Sequence, residues 1–463
     1  MSRLFISAFH KSSGKTMTSI GLASALAARG LAVQPFKKGP DYIDPMWLAR
    51  AAGRPCYNLD FNTQTNQEIV DLVASRSHGA DLSLIEGNKG LHDGVDVEGR
   101  DSSAALARLV RSPVVIVIDT LGMTRGVAPM LLGYKSFDPQ TRIAGVILNK
   151  VGAPRQETKL RQAIERYCDV PILGVIGRDS TPIVEERHLG LMTPSECPQI
   201  DRAIAHLRGV VESGVDLDRI IALADASPLA DAPAPPPGAA VSVKLAIARD
   251  PAFGFYYADD LEALERAGAQ LVFFDALNDA RLPDCDGLFI GGGFPETQAA
   301  ALAANAALRS DVRRALEGGL PAYAECGGLM YLCRTLEWRG QRHEMVGIVP
   351  ADVEMRDKPQ GRGLVVVEET GDMPWRGGSS APIPAHEFHY AALTNIDPAA
   401  RFAYRMRRGH GVDGGRDGFV VGNLLAAFTH FRDTSRNRWA GRFVDFVRDR
   451  RDARAGAALR RAG

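Results

Sequence analysis

The stretch Leu4-Phe5-Ile6-Ser7-Ala8-Phe9-His10-Lys11-Ser12-Ser13-Gly14-Lys15-Thr16 determines how the first half of this chain folds. Its apolar start is typical of a buried strand, and residues 16–29 then show helical periodicity that Gly30 ends. The Gly-Lys-Thr tail predicts a phosphate-binding loop, because backbone N–H groups at a helix start hold anions. The alternative is an ordinary helix start with a Ser/Thr cap. We expect nucleotide-binding residues at Lys11, Ser12, Ser13, Gly14, Lys15 and Thr16.

Further apolar runs follow at residues 33–36, 82–86, 114–119 and 143–149, separated by helical stretches. Continuous apolar strands between helices indicate a parallel sheet that is buried on both faces. Ligands bind such sheets at the carboxyl ends of the strands. The chemistry-bearing residues of the first half should therefore lie together at that edge.

Acidic residues stand where two of these strands end. Asp44 follows the second strand and Glu86 ends the next, and Mg²⁺ prefers one or two carboxylates together with phosphate oxygens. We predict a Mg²⁺ site formed by the Thr16 hydroxyl, Asp44 and Glu86, with a turn residue or a helix cap as the alternative for each Asp. Asn149 ends another strand and could contact a nucleotide base or simply cap its loop.

An Ala/Pro-rich segment at 223–242 divides the chain, because such a run cannot fill a core and forms a semi-rigid linker. With 463 residues, two large domains are expected, at 1–222 and 243–463. The second half repeats the strand–helix pattern at 244–248, 259–267, 271–274, 287–290 and 321–324, and residues 362–416 suggest added antiparallel strands. The fold class is α/β throughout.

Cys326 follows a short strand and precedes two glycines. This strand-to-helix turn is the geometry that exposes a nucleophile at a helix start. Backbone N–H groups of Gly292, Gly293 and Gly327 are candidates for an oxyanion hole. A cysteine nucleophile needs a base, and the residues alone leave His430, His386 and His389 open, each with a buried structural role as the alternative.

The amino-acid composition limits the classes of binding partner that are expected. The chain has 55 Lys+Arg and 55 Asp+Glu, so its zero net charge argues against nucleic acid or an anionic membrane as partner. Six scattered cysteines without metal-ligand spacing indicate reduced thiols, and the N-terminus resembles neither a signal peptide nor a membrane span. We expect a cytoplasmic protein, with homodimerisation left open.

The sequence resembles the glutamine-dependent cobyrinic or hydrogenobyrinic acid a,c-diamide synthases over nearly the whole chain. The N-terminal half resembles the dethiobiotin synthetase type of P-loop fold, and the C-terminal half resembles a triad-type glutamine amidotransferase. The matching motifs are Ser12–Thr16, Lys38–Pro45, Asn58–Asp60, Glu86-Gly87, Asp93-Gly94, Glu186–Leu191, Gly291–Glu296, Glu325–Gly328 and His386–Tyr390.

The resemblance implies that Cys326 attacks the side-chain amide of glutamine, with His430 as the matching base, and releases ammonia. It implies that ATP with Mg²⁺ phosphorylates the a and c acetates of a tetrapyrrole, with Asp41, Tyr42 and Asp93 at the substrate. Ammonia would then displace phosphate after travelling along a path protected from water.

Several alternatives stay open. Met46-Trp47-Leu48 follows Asp44-Pro45 near the expected substrate site, and relatives acting on sirohaem or nickel-sirohydrochlorin share the same motifs. Outside this class, the chain could be a regulatory P-loop ATPase with an inert amidotransferase domain, or a tetrapyrrole-binding chaperone. Those two functions would not need both Lys15 and Cys326.

Overall fold

The computed structural model describes residues 2–178, 186–187, 190–224, 226, 229, 238–378 and 381–462. The chain divides into two compact units, Met1–Ala234 and Pro235–Gly463. The predicted linker at 223–242 spans this division, and most of it lies outside the described residues. Within the described residues, no helix has the length and apolar character needed to cross a membrane.

Unit 1 is an α/β domain built on a parallel sheet. Its strands are β1 Ser2–Ala8, β2 Val33–Lys38, β3 Tyr57–Leu59, β4 Leu82–Glu86, β5 Val114–Asp119, β6 Ile143–Val151, β7 Ile172–Gly177, β8 Glu186–Arg187 and β9 Gly190–Leu191. Its helices are α1 Lys15–Ala28, α2 Ile43–Ala52, α3 Asn66–Arg76, α4 Ser103–Leu109, α5 Val127–Phe137, α6 Pro154–Tyr167, α7 Ile200–Gly214 and α8 Leu217–Leu223. The strand order in the described part of the sheet is β3-β2-β4-β1-β5-β6-β7.

The central position of β1 explains how unit 1 gathers its polar residues. Strand β4 lies between β1 and β2, and Glu86 is in register with Ile6 on one side and Lys37 on the other. Because all these strands run parallel, the loops after β1, β2 and β4 emerge at one edge of the sheet. The predicted phosphate loop and both predicted carboxylates are therefore neighbours.

Unit 2 combines parallel and antiparallel strands. Its strands are β10 Val243–Ala248, β11 Ala269–Phe274, β12 Gly287–Ile290, β13 Ala322–Glu325, β14 Thr335–Trp338, β15 Gln341–Glu344, β16 Asp352–Met355, β17 Gly361–Glu369, β18 Ile383–His389, β19 Ala391–Thr394, β20 Arg401–Arg408, β21 Arg416–Val421 and β22 Leu424–Ala427. Its helices are α9 Ala258–Arg266, α10 Ala299–Ala304, α11 Ala306–Glu317, α12 Gly327–Leu332 and α13 Trp439–Ala462. The main sheet has the order β11-β10-β12-β13-β22-β21-β20-β17-β18 in the described residues.

Three adjacent parallel strands position the second candidate site. Strand β13 pairs with β12 on one side and with β22 on the other. Apolar clusters pack on both faces of this sheet, with Leu308 and Val312 of α11 in one and Leu264 of α9 in the other. The loops after β12, β13 and β22 thus leave a rigid, buried sheet at the same edge.

The sequence predictions of the main strands agree with these bounds to within a few residues, and residues 362–416 do contribute antiparallel strands. Gly30 and Gly268 follow α1 and α9 with φ of 86° and 97°, as expected of helix-ending glycines. Within the motif at 186–191, residues 188–189 lie outside the described residues, and only the backbone of β8 and β9 is described there.

Candidate functional site

The loop after β1 requires its glycine. Gly14 has φ of 92°, and a Cβ built there would lie 2.1 Å from the Asn149 side-chain nitrogen. Asn149 approaches so closely because its amide donates to the Ser13 carbonyl at 2.9 Å. Asn149 therefore holds the backbone of the loop through this hydrogen bond. A contact between Asn149 and a nucleotide base stays a prediction.

Helix α1 begins at Lys15, directly after this loop. Burial and the neighbouring ammonium of Lys37 together lower the pKa of Lys15. The Ser13 hydroxyl donates to the carbonyl of His10 at 2.8 Å, and the carbonyl of Gly14 accepts the first helical hydrogen bond from Thr18. These bonds leave a strand–loop–helix start that is suited to holding phosphates.

Thr16, Asp44 and Glu86 come together as predicted. The Thr16 hydroxyl donates to Glu86 Oε1 at 2.6 Å and to Asp44 Oδ2 at 3.2 Å. Lys37 Nζ lies between the two carboxylates, 2.5 Å from Asp44 Oδ2 and 2.8 Å from Glu86 Oε1. Burial disfavours the charged form of Lys37, but the two carboxylates outweigh it and raise its pKa.

The fit of this cluster to Mg²⁺ can be tested on its oxygens. Glu86 Oε2 is buried and has no hydrogen-bond partner in the described part of the chain, and burial raises the pKa of this carboxyl. The described residues contain no group of three His, Cys, Asp or Glu side chains placed to hold a metal. Two carboxylates and a hydroxyl suit an ion that also takes phosphate oxygens and water, so the residues fit Mg²⁺.

The predicted substrate residues lie beside this cluster. Asp41 accepts the backbone N–H of Asp44 at 3.1 Å, and burial together with the charge of Asp44 raises the pKa of Asp41 to about 7. Tyr42 directly precedes α2, and Asp93 accepts the Gly90 N–H at 3.0 Å in the loop after β4. The structure brings Asp41 next to the metal candidates, and substrate contact by these three residues stays a prediction.

Trp47 and Leu48 belong to the buried face of α2. Both are fully buried, and the Trp47 indole donates to the carbonyl of Met192 at 2.8 Å. These side chains fill the core behind α2. A part for the segment Met46–Leu48 in substrate choice stays a prediction.

In unit 2, Cys326 occupies the sharp turn that its sequence context predicts. Its φ of 48° lies in the left-handed region that non-glycine residues seldom adopt. The turn is held because the Cys326 N–H donates to the carbonyl of Ala427 at 2.7 Å, which ties the end of β13 to β22. Strain of this kind persists where the surrounding structure enforces it, and it clusters at functional positions.

The glycine loop after β12 packs tightly against the same turn. A Cβ on Gly292 would lie 2.6 Å from His430 Cε1, and a Cβ on Gly327 would lie 3.0 Å from the Gly293 nitrogen. Gly328 also donates to the carbonyl of Gly291 at 3.1 Å. The three predicted oxyanion glycines are therefore neighbours, although their role as donors stays a prediction.

Geometry separates the three candidate histidines. His430 is hydrogen-bonded to Cys326, and its Nδ1 lies 3.4 Å from Glu325 Oε2. The His386 ring stacks on His430, with centroids 4.9 Å apart, and burial and its neighbour His430 lower its pKa well below the usual value. His389 has its Nδ1 2.8 Å from the carbonyl of Ala391. His430 is therefore the histidine best placed to act on the thiol.

Two polar residues of these sites received no role from the sequence, namely Lys37 and Glu325. Lys37 stands at the end of a buried strand, in register with Glu86. Glu325 is the last residue of the buried strand that leads into Cys326. A charged residue at or near the end of a strand whose preceding residues are buried is the signal that could have identified both.

Family models match both units. Residues 4–190 match the CobQ/CobB/MinD/ParA nucleotide binding domain, and residues 244–437 match the CobB/CobQ-like glutamine amidotransferase domain. Among solved structures, the chain is similar to one described as the structure of PurLQS from Thermotoga maritima, with a TM-score of 0.35 and 17% identity over 44% of this chain and 96% of that chain.

Curated relatives match the whole length. The chain is 46% identical to the cobyrinate a,c-diamide synthase of Magnetococcus marinus, with 97% of each chain covered. Identity is 38% to the protein of that name from Methanosarcina acetivorans, over 98% of this chain and 97% of that one. It is 40% to that of Archaeoglobus fulgidus, over 96% of both. The chain belongs to the cobyrinate a,c-diamide synthase family.

Proposed function

We propose that this protein is an ATP- and glutamine-dependent ligase that converts the a and c acetate carboxylates of cobyrinate into amides. The observation that carries the proposal is the hydrogen-bonded pair of Cys326 and His430 in the same chain as a phosphate loop. Neither a regulatory ATPase nor a binding chaperone needs both. Relatives that match over at least 97% of both chains carry the substrate in their names.

Ammonia release begins at Cys326. His430 takes the thiol proton, and the thiolate attacks the side-chain amide carbon of glutamine. Backbone N–H groups of the glycines near the turn would stabilise the tetrahedral oxyanion. Collapse breaks the C–N bond, and the proton held by His430 leaves with ammonia. Water then hydrolyses the thioester and yields glutamate.

Carboxylate activation belongs to unit 1. The phosphate loop and Lys15 hold the phosphates of ATP, and a substrate carboxylate oxygen attacks the γ-phosphorus to give an acyl phosphate and ADP. Thr16, Asp44 and Glu86 would hold Mg²⁺, which neutralises phosphate charge when bound. The Lys37 ammonium lies between the two carboxylates and forms an ion pair with each of them. Ammonia displaces phosphate from the acyl carbon, and the sequence of steps is repeated on the second acetate.

Mass spectrometry of the products tests the substrate. Purified protein with ATP, Mg²⁺ and glutamine is offered cobyrinate, hydrogenobyrinate, sirohaem and nickel-sirohydrochlorin in competition. We expect two successive carboxylate-to-amide changes on the corrinoid. The same changes on sirohaem or nickel-sirohydrochlorin alone would overturn the assignment of cobyrinate as the substrate. ATP hydrolysis without any amide would favour the regulatory ATPase.

Location and assembly are separate proposals. We propose a cytoplasmic enzyme, because the cysteines are free and the charge is balanced, and we propose that it forms a homodimer. Cell fractionation tests the first proposal. Light scattering coupled to size-exclusion chromatography tests the second, and a mass of one chain at micromolar concentration would overturn it.

A further inference from the structure

Glu325 lies next to Cys326 and His430, but the ammonia-releasing steps proposed above do not use it. It is the last residue of β13, directly before Cys326, and only 3% of its surface is exposed. Its Oε1 accepts the Tyr323 hydroxyl at 2.5 Å and the Phe431 N–H at 3.1 Å. Its Oε2 lies 3.4 Å from Nδ1 of His430. One oxygen is thus anchored by the protein while the other faces the imidazole.

Two other buried carboxylates near His430 already have hydrogen-bond or ion-pair partners. Asp417 accepts from the backbone of Gly418, Phe428 and Thr429, and from the Thr429 hydroxyl. Asp259 pairs with Arg432, two residues after His430. The Arg432 guanidinium lies over the Tyr257 ring, 4.5 Å from its centroid. Glu325 is accordingly the carboxylate that faces His430.

The charges around His430 favour its protonated form. Burial alone would lower its pKa, but the hydrogen bonds to Cys326 and Glu325 outweigh burial and raise that pKa to about 10. On the other ring face lies His386, whose pKa is held low by burial, by His430 and by Arg432. His386 therefore stays neutral and adds no competing charge to the stacked pair.

We propose that Glu325 is the positioning residue of the amidase site: it accepts the Nδ1–H of His430 and thereby turns the other ring nitrogen toward Cys326. This rests on the proposed amidase function. The tautomer is set by the partner of Nδ1, as in other triads. The thiol proton moves to Nε2, the imidazolium is stabilised by the carboxylate, and the same proton later leaves with ammonia.

Glu325→Gln separates orientation from charge. Glutamine can still accept the Phe431 N–H but carries no negative charge, so we expect glutaminase kcat to fall by about 10²- to 10⁴-fold. Synthesis from added ammonia should be retained. Alkylation of Cys326 by iodoacetamide, followed by peptide mass, should shift its midpoint to higher pH, because the imidazolium that stabilises the thiolate loses its partner.

Two further variants make the result decisive. Glu317→Gln removes a half-exposed glutamate of α11 and should leave both measurements at wild-type values. Glu325→Asp retains a carboxylate and should recover part of the rate and of the alkylation midpoint. Equal losses for the Asp and Gln variants, or an unchanged alkylation profile in Glu325→Gln, would overturn the proposal. A wild-type protein that hydrolyses no glutamine would instead overturn the amidase function itself.

Discussion

Lys37 Nζ lies 2.8 Å from Glu86 Oε1, across two adjacent parallel strands in which the two residues are in direct register. Both side chains are almost fully buried. Burying a charge is costly unless it is paired, and here one ammonium pairs with the carboxylates of both Glu86 and Asp44. The three charged groups stabilise one another, so removal of the Lys37 ammonium should destabilise both carboxylates.

Lys37→Met leaves the two carboxylates without their cation, so we expect unit 1 to lose about 3–5 kcal/mol of stability. Hydrogen exchange of peptides covering β2 and β4 measures this in the intact chain. Because burial raises the pKa of Glu86, lowering the pH should restore part of the protection by neutralising that carboxyl. Lys244→Met, which removes an exposed partner of Asp284, is the control and should change nothing measurable. Equal protection of Lys37→Met and wild type would contradict the prediction.

Cys326→Ser should abolish amide formation from glutamine and preserve it from ammonia. A serine hydroxyl is a far weaker nucleophile than a thiolate at neutral pH, whereas the chemistry of unit 1 does not involve the thiol. Product formation with each nitrogen donor measures the split. Cys333→Ser replaces a buried thiol of the same unit and is a suitable control for effects of the substitution type. Continued use of glutamine by Cys326→Ser would remove this residue from the mechanism.

Lys15→Ala should abolish synthesis from either nitrogen donor and leave some glutaminase activity. Lys15 is the first residue of α1 and the side chain expected to reach the terminal phosphates. ADP release and glutamate release, followed in parallel, report on the two units. Lys159→Ala, on the exposed side of α6, should resemble wild type. Amide made by Lys15→Ala would show that ATP is activated elsewhere.

Gly292→Ala should reduce glutaminase kcat by about 100-fold, because the new Cβ would lie 2.6 Å from His430 Cε1 and displace the ring. ATP binding should not change. Gly441→Ala on α13 meets open space and serves as the matched control. A wild-type glutaminase rate in Gly292→Ala would contradict the prediction that the position of the His430 ring limits catalysis.

Tetrapyrrole affinity should depend on pH through Asp41. Burial and the charge of Asp44 raise the pKa of Asp41 to about 7, so the group keeps its proton below that pH. Above it, the ionised Asp41 repels substrate carboxylates, and the dissociation constant should rise by up to about tenfold per pH unit. Asp41→Asn should flatten the profile in an equilibrium titration. The same slope in both proteins would exclude Asp41 from the substrate site.

Local patterns sufficed for the strands and for both loops, since apolar runs, glycines and the Gly-Lys-Thr tail act over a few residues. The choice of His430 over His386 and His389 could not be made in this way, because all three are buried histidines in or just after a strand. Lys37 and Glu325 were missed for the same reason. Their burial is stabilised by partners that are distant in sequence, such as Glu86 and His430, and only the folded sheet brings them into contact.

The place of β22 in the main sheet has a consequence for biosynthesis. Strand β22, Leu424–Ala427, inserts between β13 and β21 and holds the backbone of Cys326 through Ala427. A ribosome that has made the chain only as far as β21 has produced Cys326, the proposed nucleophile, but neither β22 nor His430, the proposed base. We therefore expect glutaminase activity to arise only when translation is nearly finished.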